Sequence, residues 1–308
     1  KPEVFLHKFV KDGKNVYWCH SGLWHEILTF CKSNNIPIDD NLNNKSFKYT
    51  NFNIDKNEFK EWVNSLGLAI KPREYQIEAA WIILKYRQSM SQLATRSGKT
   101  LIAYIVFRWL RTFAGVHNIL MIVPNTSLVK QGVNDFKEYG DFFNTETVWA
   151  KSELCDSSDI TIGTFQSLVN RLNKKSKSYD PKFFNKFDVV LVDECHKLKC
   201  KSIDNILSQN FMKNLKLRFG FSGTIPENGT IENFCCQSLM GPIIQDISTK
   251  ELIDSGYLSN VDIEQIYIKY DNDDSLKEQY IKCGEYICSN YVLENGNKIL
   301  LPKEDRLF

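Results

Sequence analysis

Two stretches of the chain hold residue types spaced as phosphate chemistry needs them. The first, Leu93-Ala94-Thr95-Arg96-Ser97-Gly98-Lys99-Thr100, ends in Gly-Lys-Thr and opens into an apolar helical pattern over 101–113. A strand end, a tight loop and a helix N-terminus in that order make a P-loop. Backbone N–H groups of Thr95, Arg96, Ser97 and Gly98, aided by the dipole of the following helix, would wrap the β- and γ-phosphates of a nucleotide. Lys99 would neutralise phosphate charge, and the Thr100 hydroxyl would ligate Mg²⁺. The pattern G-x-x-x-x-G-K-[ST] asks for Gly where this chain has Leu93, so an ordinary loop is the competing reading of the segment alone.

The second stretch, Val189-Val190-Leu191-Val192-Asp193-Glu194-Cys195-His196, is an apolar strand ending in two adjacent carboxylates. Such a pair is costly to desolvate without a cation between it and a ligand. Asp193 fits the acid that holds Mg²⁺ through its water shell, and Glu194 the base that orients and deprotonates an attacking water. His196, neutral near pH 7, suits relaying the state of the γ-phosphate to neighbouring loops. An isolated Asp-Glu pair would read as a surface helix cap; downstream of a Gly-Lys-Thr loop the catalytic reading is preferred.

These groups need strands and helices to bring them together, and the chain supplies both. Short apolar runs bounded by turn signals, Ile119–Val123, Ile160–Ile162, Val189–Val192 and Leu217–Phe221, read as strands buried on both faces. Between them, helical spacing runs over Tyr75–Arg87 and Leu101–Phe113. That alternation predicts an α/β fold with a parallel sheet flanked by helices, whose ligands sit at the carboxyl ends of the strands. Residues 1–70 differ in composition. Helices are expected over Leu23–Lys32 and Lys56–Leu66, the second stopped by Gly67, around an Asn/Asp/Lys-rich stretch, making a small α/β accessory domain. Its aromatics Tyr17, Trp18, Trp24 and Trp62 either stack on bases or form its core, and a unit this small needs them as core.

Of 308 residues, 43% are hydrophobic and 25% charged, a mix that buries a sizeable core and excludes disordered, collagen-like and low-complexity classes. The length suits about two domains of roughly 150 residues each. The longest apolar run, Leu101 to Phe107, falls short of the about 20 residues that span a membrane, so no membrane partner is expected. No secretory leader opens the chain, and the start at Lys1 suggests a trimmed piece of a longer protein. A net charge of +2 does not announce nucleic-acid binding, so local patches must carry any such role. The nine cysteines lack C-x-x-C pairs and read as reduced, cytoplasmic thiols. Cys19, His20, His25 and Cys31 match no common zinc spacing.

With A-T-R-S-G-K-T, D-E-C-H and a later Ser222-Gly223-Thr224 in order, the chain resembles the first RecA-like lobe of superfamily 2 DExH helicases. Within them it is most similar to phage recombination and branch-migration helicases, which also lack the first P-loop glycine. Further points of likeness are Arg73-Glu74-Tyr75-Gln76, Ile122-Val123-Pro124-Asn125-Thr126-Ser127-Leu128, Gly163-Thr164-Phe165-Gln166-Ser167 and Ser248-Thr249-Lys250-Glu251-Leu252. Arg96 stands where many members have Gly.

The resemblance implies an ATP- and Mg²⁺-dependent helicase acting on branched or single-stranded DNA, in the bacterial host cytoplasm if the chain is of phage origin. It places Gln76 where an amide pairs with adenine, with Arg73 assisting around the nucleotide. Asn125, Thr126 and Gln131, and Thr164 and Gln166 on the next strand end, fall where the family grips a tracking-strand phosphate without reading sequence. Ser222 and Thr224 would couple hydrolysis to movement. Each of these short polar stretches is also what a simple turn or cap looks like.

The segment 171–182 carries five cations, Lys174 and Lys175 among them, against one acid. A solvated loop and a DNA-facing hairpin both fit it. The family closes ATP between two lobes, and the second supplies arginine fingers. After Arg218 this chain has one arginine, Arg306, so the second lobe is expected outside it. The expected division is therefore 1–70 accessory, 71–270 motor lobe and 271–308 interlobe linker, with a helix around Glu278–Tyr291. A double-strand DNA translocase subunit of a restriction or remodelling system shares every motif quoted, and is the first alternative. An RNA helicase or a non-catalytic nucleic-acid-binding module is the second. Intact Lys99, Thr100, Asp193 and Glu194 argue against the non-catalytic module. DNA over RNA rests on the resemblance alone, and oligomeric state is not legible.

Overall fold

The computed structural model describes residues 7–11, 14–18, 20–38, 50–148, 158–197, 206–207, 215–259, 291–294 and 297–300. Contacts group the chain into two units, Lys1–Ser259 and Asn260–Phe308.

The first unit opens with an antiparallel hairpin, β1 (His7–Lys11) and β2 (Lys14–Trp18). A 3₁₀ turn, Ser21–Leu23, leads into α1 (Trp24–Ser33), one residue from its expected span. Leu23 and Trp24 are buried. Helix α2 (Lys56–Ser65) starts at Asp55, whose carboxylate accepts from the N–H groups of Asn57 and Glu58, and stops before Gly67 at φ +62°. Phe59 and Val63 of α2 pack into the same core as the central helices, and Trp62 lies against Phe59 and Phe113. The side chains of Tyr17 and Trp18 lie outside the described residues.

From α3 (Glu74–Leu84) the chain alternates strand and helix: β3 (Gln88–Leu93), α4 (Lys99–Phe113), β4 (Ile119–Val123), α5 (Thr126–Gly140), β5 (Thr145–Val148), β6 (Ile160–Thr164) and α6 (Phe165–Leu172). Then come β7 (Val189–Val192), β8 (Leu217–Ser222), α7 (Ile231–Met240), β9 (Ile243–Ile247) and α8 (Thr249–Asp254). Seven strands form one sheet in the order β5-β6-β4-β7-β8-β3-β9, and every pair is parallel. Alternation along β4 sorts the core into two layers. Ile119, Met121 and Val123 face the α3–α5 side, while Leu120 and Ile122 face the side covered by α6 and α7. Helix α4 is buried all round from Leu101 to Phe107, as a helix held between a sheet and outer helices must be.

Three strands carry little apolar signal. β5 is a four-residue edge strand and β9 is only half-buried. β3 reads Gln-Ser-Met-Ser-Gln-Leu, with Ser89 and Ser91 buried. Its polarity is used across strands: Gln92 Oε1 accepts from the Ile225 N–H at 3.2 Å, and Gln245 donates to Ser91 Oγ at 2.7 Å.

The segment 20–33 is seated against α7 and β3. A Cβ on Gly22 would lie 2.1 Å from the Gln237 carbonyl oxygen and 2.6 Å from that of Ser238, so only glycine allows this approach. Ser21 Oγ and the Gln88 amide complete the contact. In the second unit, β10 (Tyr291–Glu294) and β11 (Asn297–Leu300) form an antiparallel hairpin. The helix expected around Glu278–Tyr291 falls outside the described residues, except Tyr291, which opens β10. No helix among the described residues is long and apolar enough to cross a membrane.

Candidate nucleotide and nucleic-acid site

Because all seven strands are parallel, their carboxyl ends share one edge, and every candidate segment emerges there. Across that edge the loops after β6, β4, β7, β8 and β3 follow in order. They carry Thr164–Gln166, Asn125–Thr126, Asp193–His196, Ser222–Thr224 and Ala94–Gly98.

Leu93 is the last residue of β3 and fully buried, so the loop starts after it, and a glycine at that position is not required. Arg96 (φ +66°) and Gly98 (φ +79°) make the loop's two left-handed turns, and Gly98 N-caps α4. The Ser97 hydroxyl is fully buried without a hydrogen-bond partner. Its carbonyl accepts from Tyr75 Oη at 2.7 Å and from Gln76 Nε2 at 2.9 Å. Gln76 Oε1 in turn accepts from the Arg73 N–H at 2.9 Å. Both ends of the Gln76 amide are thus committed to backbone beneath the loop, where a Cβ on Gly98 would fall 2.3 Å from Nε2. Arg73 is exposed; its guanidinium donates to the Tyr257 carbonyl at 3.0 Å and lies 5.1 Å from the Tyr257 ring.

Three loops are joined by side chains. Lys99 Nζ donates to Glu194 Oε1 at 3.0 Å, with both groups largely shielded. Glu194 Oε2 lies 3.4 Å from His196 Nδ1, which is 2.6 Å from Ser222 Oγ. Ser222 Oγ donates to the Thr224 carbonyl and accepts from its N–H. Gly223 brings backbone against Thr95 and Lys99. Burial raises the Glu194 carboxyl, but the Lys99 hydrogen bond and charge, the Gly223 N–H and the His196 charge outweigh it and hold it below its ordinary value. Glu194 also sits at φ +49°, a strained conformation for a side-chain-bearing residue. Asp193 follows β7 directly, its N–H bonded to the Ile122 carbonyl. Burial pushes the Cys195 thiol well above its ordinary value, leaving it a packing residue.

On the β4 and β6 side the polar groups are bound locally. Asn125 Oδ1 N-caps α5 by accepting from the Leu128 N–H at 3.0 Å, and Thr164 Oγ1 N-caps α6 by accepting from the Ser167 N–H. Asn125, Thr126, Gln131 and Gln166 are exposed, and Thr164 is buried. Two helix N-termini therefore open side by side on the edge, an arrangement suited to backbone phosphates. Lys174 and Lys175 are exposed on a turn after α6. That turn is held by Arg171, which pairs with Asp180 at 3.7 Å and lies over Phe183.

Sequence reasoning missed three residues. Tyr75 stands beside Gln76 in a segment already singled out. Tyr257 has no sequence signal, since its partner Arg73 is far away in the chain. Asp135 lies one helical turn after Gln131; burial raises its carboxyl above the ordinary value, and the Thr100 and Gln131 side chains oppose that rise. Among the described residues no group of His, Cys, Asp or Glu is set to hold a metal ion by itself. Cys19 of the zinc reading lies outside them. The Lys99–Glu194 pair, the orphaned Ser97 hydroxyl and the half-buried α4 N-terminus fit a nucleotide's phosphates.

The model of the family described as type III restriction enzyme, res subunit, matches residues 69–227. The ATP-dependent DNA helicase uvsW of Enterobacteria phage T4 is 27% identical over 270 residues, which cover 83% of this chain and 50% of that protein. The DNA 3'-5' translocase XPB2 of Sulfurisphaera tokodaii is 26% identical over 211 residues, 68% of this chain and 43% of that protein. The chain thus spans half or less of the length of these two relatives. A crystal structure of the bacteriophage T4 UvsW helicase superposes with a TM-score of 0.62 at 24% identity, covering 76% of this chain and 84% of that one. A second T4 UvsW structure gives 0.60 at 25% identity, covering 77% and 48%. The sheet is the RecA-like α/β fold that these helicase structures share.

Proposed function

This chain belongs to the type III restriction enzyme res-subunit family, a helicase family of the superfamily 2 type, and on that premise we propose that it is the ATP-binding lobe of a DNA helicase. The observation that carries the reading is the run of contacts Lys99–Glu194–His196–Ser222, which joins three loops far apart in sequence around one helix N-terminus.

In this reading Thr95, Arg96, Ser97, Gly98 and Lys99 hold the phosphates, and Thr100 with Asp193 holds Mg²⁺. When bound, ATP supplies the phosphoanhydride to be cleaved and Mg²⁺ the charge that offsets its oxygens. Glu194 takes the proton of the attacking water. While it is paired with Lys99 its carboxylate is a weak base, so withdrawal of Lys99 from Oε1 toward a phosphate raises its proton affinity. His196 and Ser222 then report that change to the Ser222–Thr224 turn. Arg73 and Gln76 set the loop from below. Asn125, Thr126, Gln131, Thr164 and Gln166 receive a nucleic-acid strand by its phosphates, and Lys174 and Lys175 add charge beside it. Residues 1–70 serve as accessory domain, 71–270 as motor lobe and 271–308 as interlobe linker. Without arginine fingers from a second lobe, the chain alone hydrolyses ATP slowly. Its place of action is the cytoplasm, that of a bacterial host if the protein is of phage origin.

The test is binding of a fluorescent ATP analogue and DNA-stimulated hydrolysis by the protein carrying both lobes, alongside Lys99→Ala. Loss of both in the variant is expected; normal hydrolysis by Lys99→Ala would sink the reading. A double-strand translocase is the second reading, favoured by the XPB2 likeness. Strand displacement on forked DNA, against triplex displacement on blunt duplex, separates the two.

A further inference from the structure

The helix beneath the phosphate loop spends its glutamine on the protein itself. Gln76 is the third residue of α3, and its Oε1 reaches back to accept from the Arg73 N–H at 2.9 Å, capping the helix. Its Nε2 donates to the Ser97 carbonyl at 2.9 Å, in the space that a Cβ on Gly98 would need. The residue is buried. Turning the amide toward a base would take the cap from the Arg73 N–H and a donor from the Ser97 carbonyl. A shielded polar group left unpaired costs more than an average hydrogen bond gains.

Beside the loop stands a cluster that is aromatic and cationic. Tyr75 donates its hydroxyl to the Ser97 carbonyl at 2.7 Å, which ties its ring to the loop. The Tyr257 ring lies 5.1 Å from the Tyr75 ring, tilted by 56°. The Arg73 guanidinium lies 5.1 Å from the Tyr257 ring and donates to the Tyr257 carbonyl at 3.0 Å. Arg73 is exposed, and Tyr75 and Tyr257 are half-buried. Tyr257 is itself pinned just beyond α8. Its N–H donates to the carbonyl of buried Leu252 at 2.8 Å, directly after Gly256 at φ +71°.

Two tyrosines and a planar guanidinium next to a phosphate loop suit a flat heterocycle, which they hold by its faces. Stacking is indifferent to the groups at the edge of the ring, because every base has a π-face. Choosing adenine over other bases takes a donor and an acceptor aimed at its edge. The amide that the family resemblance places there has both ends engaged with backbone.

The geometry points to a base subsite of Arg73, Tyr75 and Tyr257 that stacks the base without reading its edge, so that purine and pyrimidine nucleoside triphosphates are all accepted. The inference rests on the proposed nucleotide site and deepens it, widening the substrate class from ATP to nucleoside triphosphates. Gln76 is then a positioning residue, shaping the loop for the triphosphate that all of them share.

The experiment displaces a fluorescent ATP analogue from the whole chain with ATP, GTP, CTP, UTP or inorganic tripolyphosphate, each with Mg²⁺. It compares the wild type, Tyr257→Ala, Tyr257→Leu and Gln76→Ala, with thermal unfolding recorded for each. In the wild type the four nucleotides bind within about tenfold of one another, whereas a site that hydrogen-bonds one base rejects others by about 10⁴ or more. Tyr257→Ala weakens all four by about 5- to 150-fold, the span of one lost base stack. Tripolyphosphate, which has no base, shows no matching loss. Tyr257→Leu keeps bulk and backbone contacts without the π-face, weakens the nucleotides in the same way, and covers the case in which the alanine variant unfolds. Gln76→Ala weakens nucleotides and tripolyphosphate together. A wild-type preference for ATP above about tenfold over every other nucleotide overturns the inference, as does a loss confined to ATP in Gln76→Ala. Unchanged nucleotide affinity in Tyr257→Leu, or an equal loss for tripolyphosphate, overturns it too. A wild type that binds neither nucleotide nor tripolyphosphate overturns the functional reading itself, a distinguishable outcome.

Discussion

On the β3, β8 and β7 side of the sheet edge, polar side chains reach partners far along the chain: Lys99 to Glu194, and His196 to Ser222. On the β4 and β6 side, Asn125 and Thr164 accept from backbone N–H groups three residues on, and the Thr164 hydroxyl donates no farther than Ser167 Oγ. The first arrangement is a network whose members depend on one another. The second is a pair of self-contained caps that present helix N-termini. A network suits a site that must change state as a unit, whereas independent caps suit a surface that holds a repeating phosphate backbone whatever the sequence.

The comparison breaks most visibly at Glu194. Glu194→Gln keeps the shape and removes the proposed base, so ATP turnover by the protein with both lobes is expected to fall by about 10²–10⁴ in a steady-state phosphate-release assay. The same variant sharpens the electrostatic side. Glu194's folded carboxyl lies below its ordinary value of 4.5, so its pairing stabilises the fold above that pH and the gain is lost as pH falls through the lower folded value. Denaturant melts of Glu194→Gln should therefore lose that part of the acid dependence. An identical acid limb would mean the pair contributes nothing in solution.

A double-mutant cycle separates the two sides next. His196→Ala with Ser222→Ala should show an interaction energy of about 0.5–3 kcal/mol in unfolding free energy. Asn125→Ala and Thr164→Ala should each cost about 0.5–2 kcal/mol as lost caps, and add to within about 0.5 kcal/mol. Additivity at His196 and Ser222 would dissolve the contrast. The smallest effect is at the surface. Replacing Lys174 and Lys175 by Gln should reduce the slope of log K against log salt for DNA binding by about 0.7–0.9 per lysine. An unchanged slope assigns the turn to solvent alone.

The chemical motifs were legible because their chemistry is written in type and spacing: Gly-Lys-Thr before a helix, and Asp-Glu-Cys-His after an apolar strand. The four apolar strands were legible for a similar reason, since burial on both faces leaves a continuous run. β3 was not, because its Ser91 and Gln92 are satisfied by partners on β9 and after β8 that no local pattern announces. Burial of Gly22 against the Gln237 and Ser238 carbonyls is equally silent in sequence, as a glycine reads as a turn until its neighbour across space is known. The Gln76 amide is spent on backbone beneath the loop in this structure and is not turned to a base.

The position of β3 between β8 and β9 also sets a timetable. Both of its neighbours are synthesised more than a hundred residues after it, which at ribosomal speed is on the order of ten seconds. During that interval the strand leading into the phosphate loop has neither edge paired. Its serines and glutamines then matter in another way, because a nascent strand with so little apolar surface is a poor seed for aggregation. A ribosome halted before Ile247 holds a chain with its phosphate loop already translated and the sheet that shapes it still incomplete.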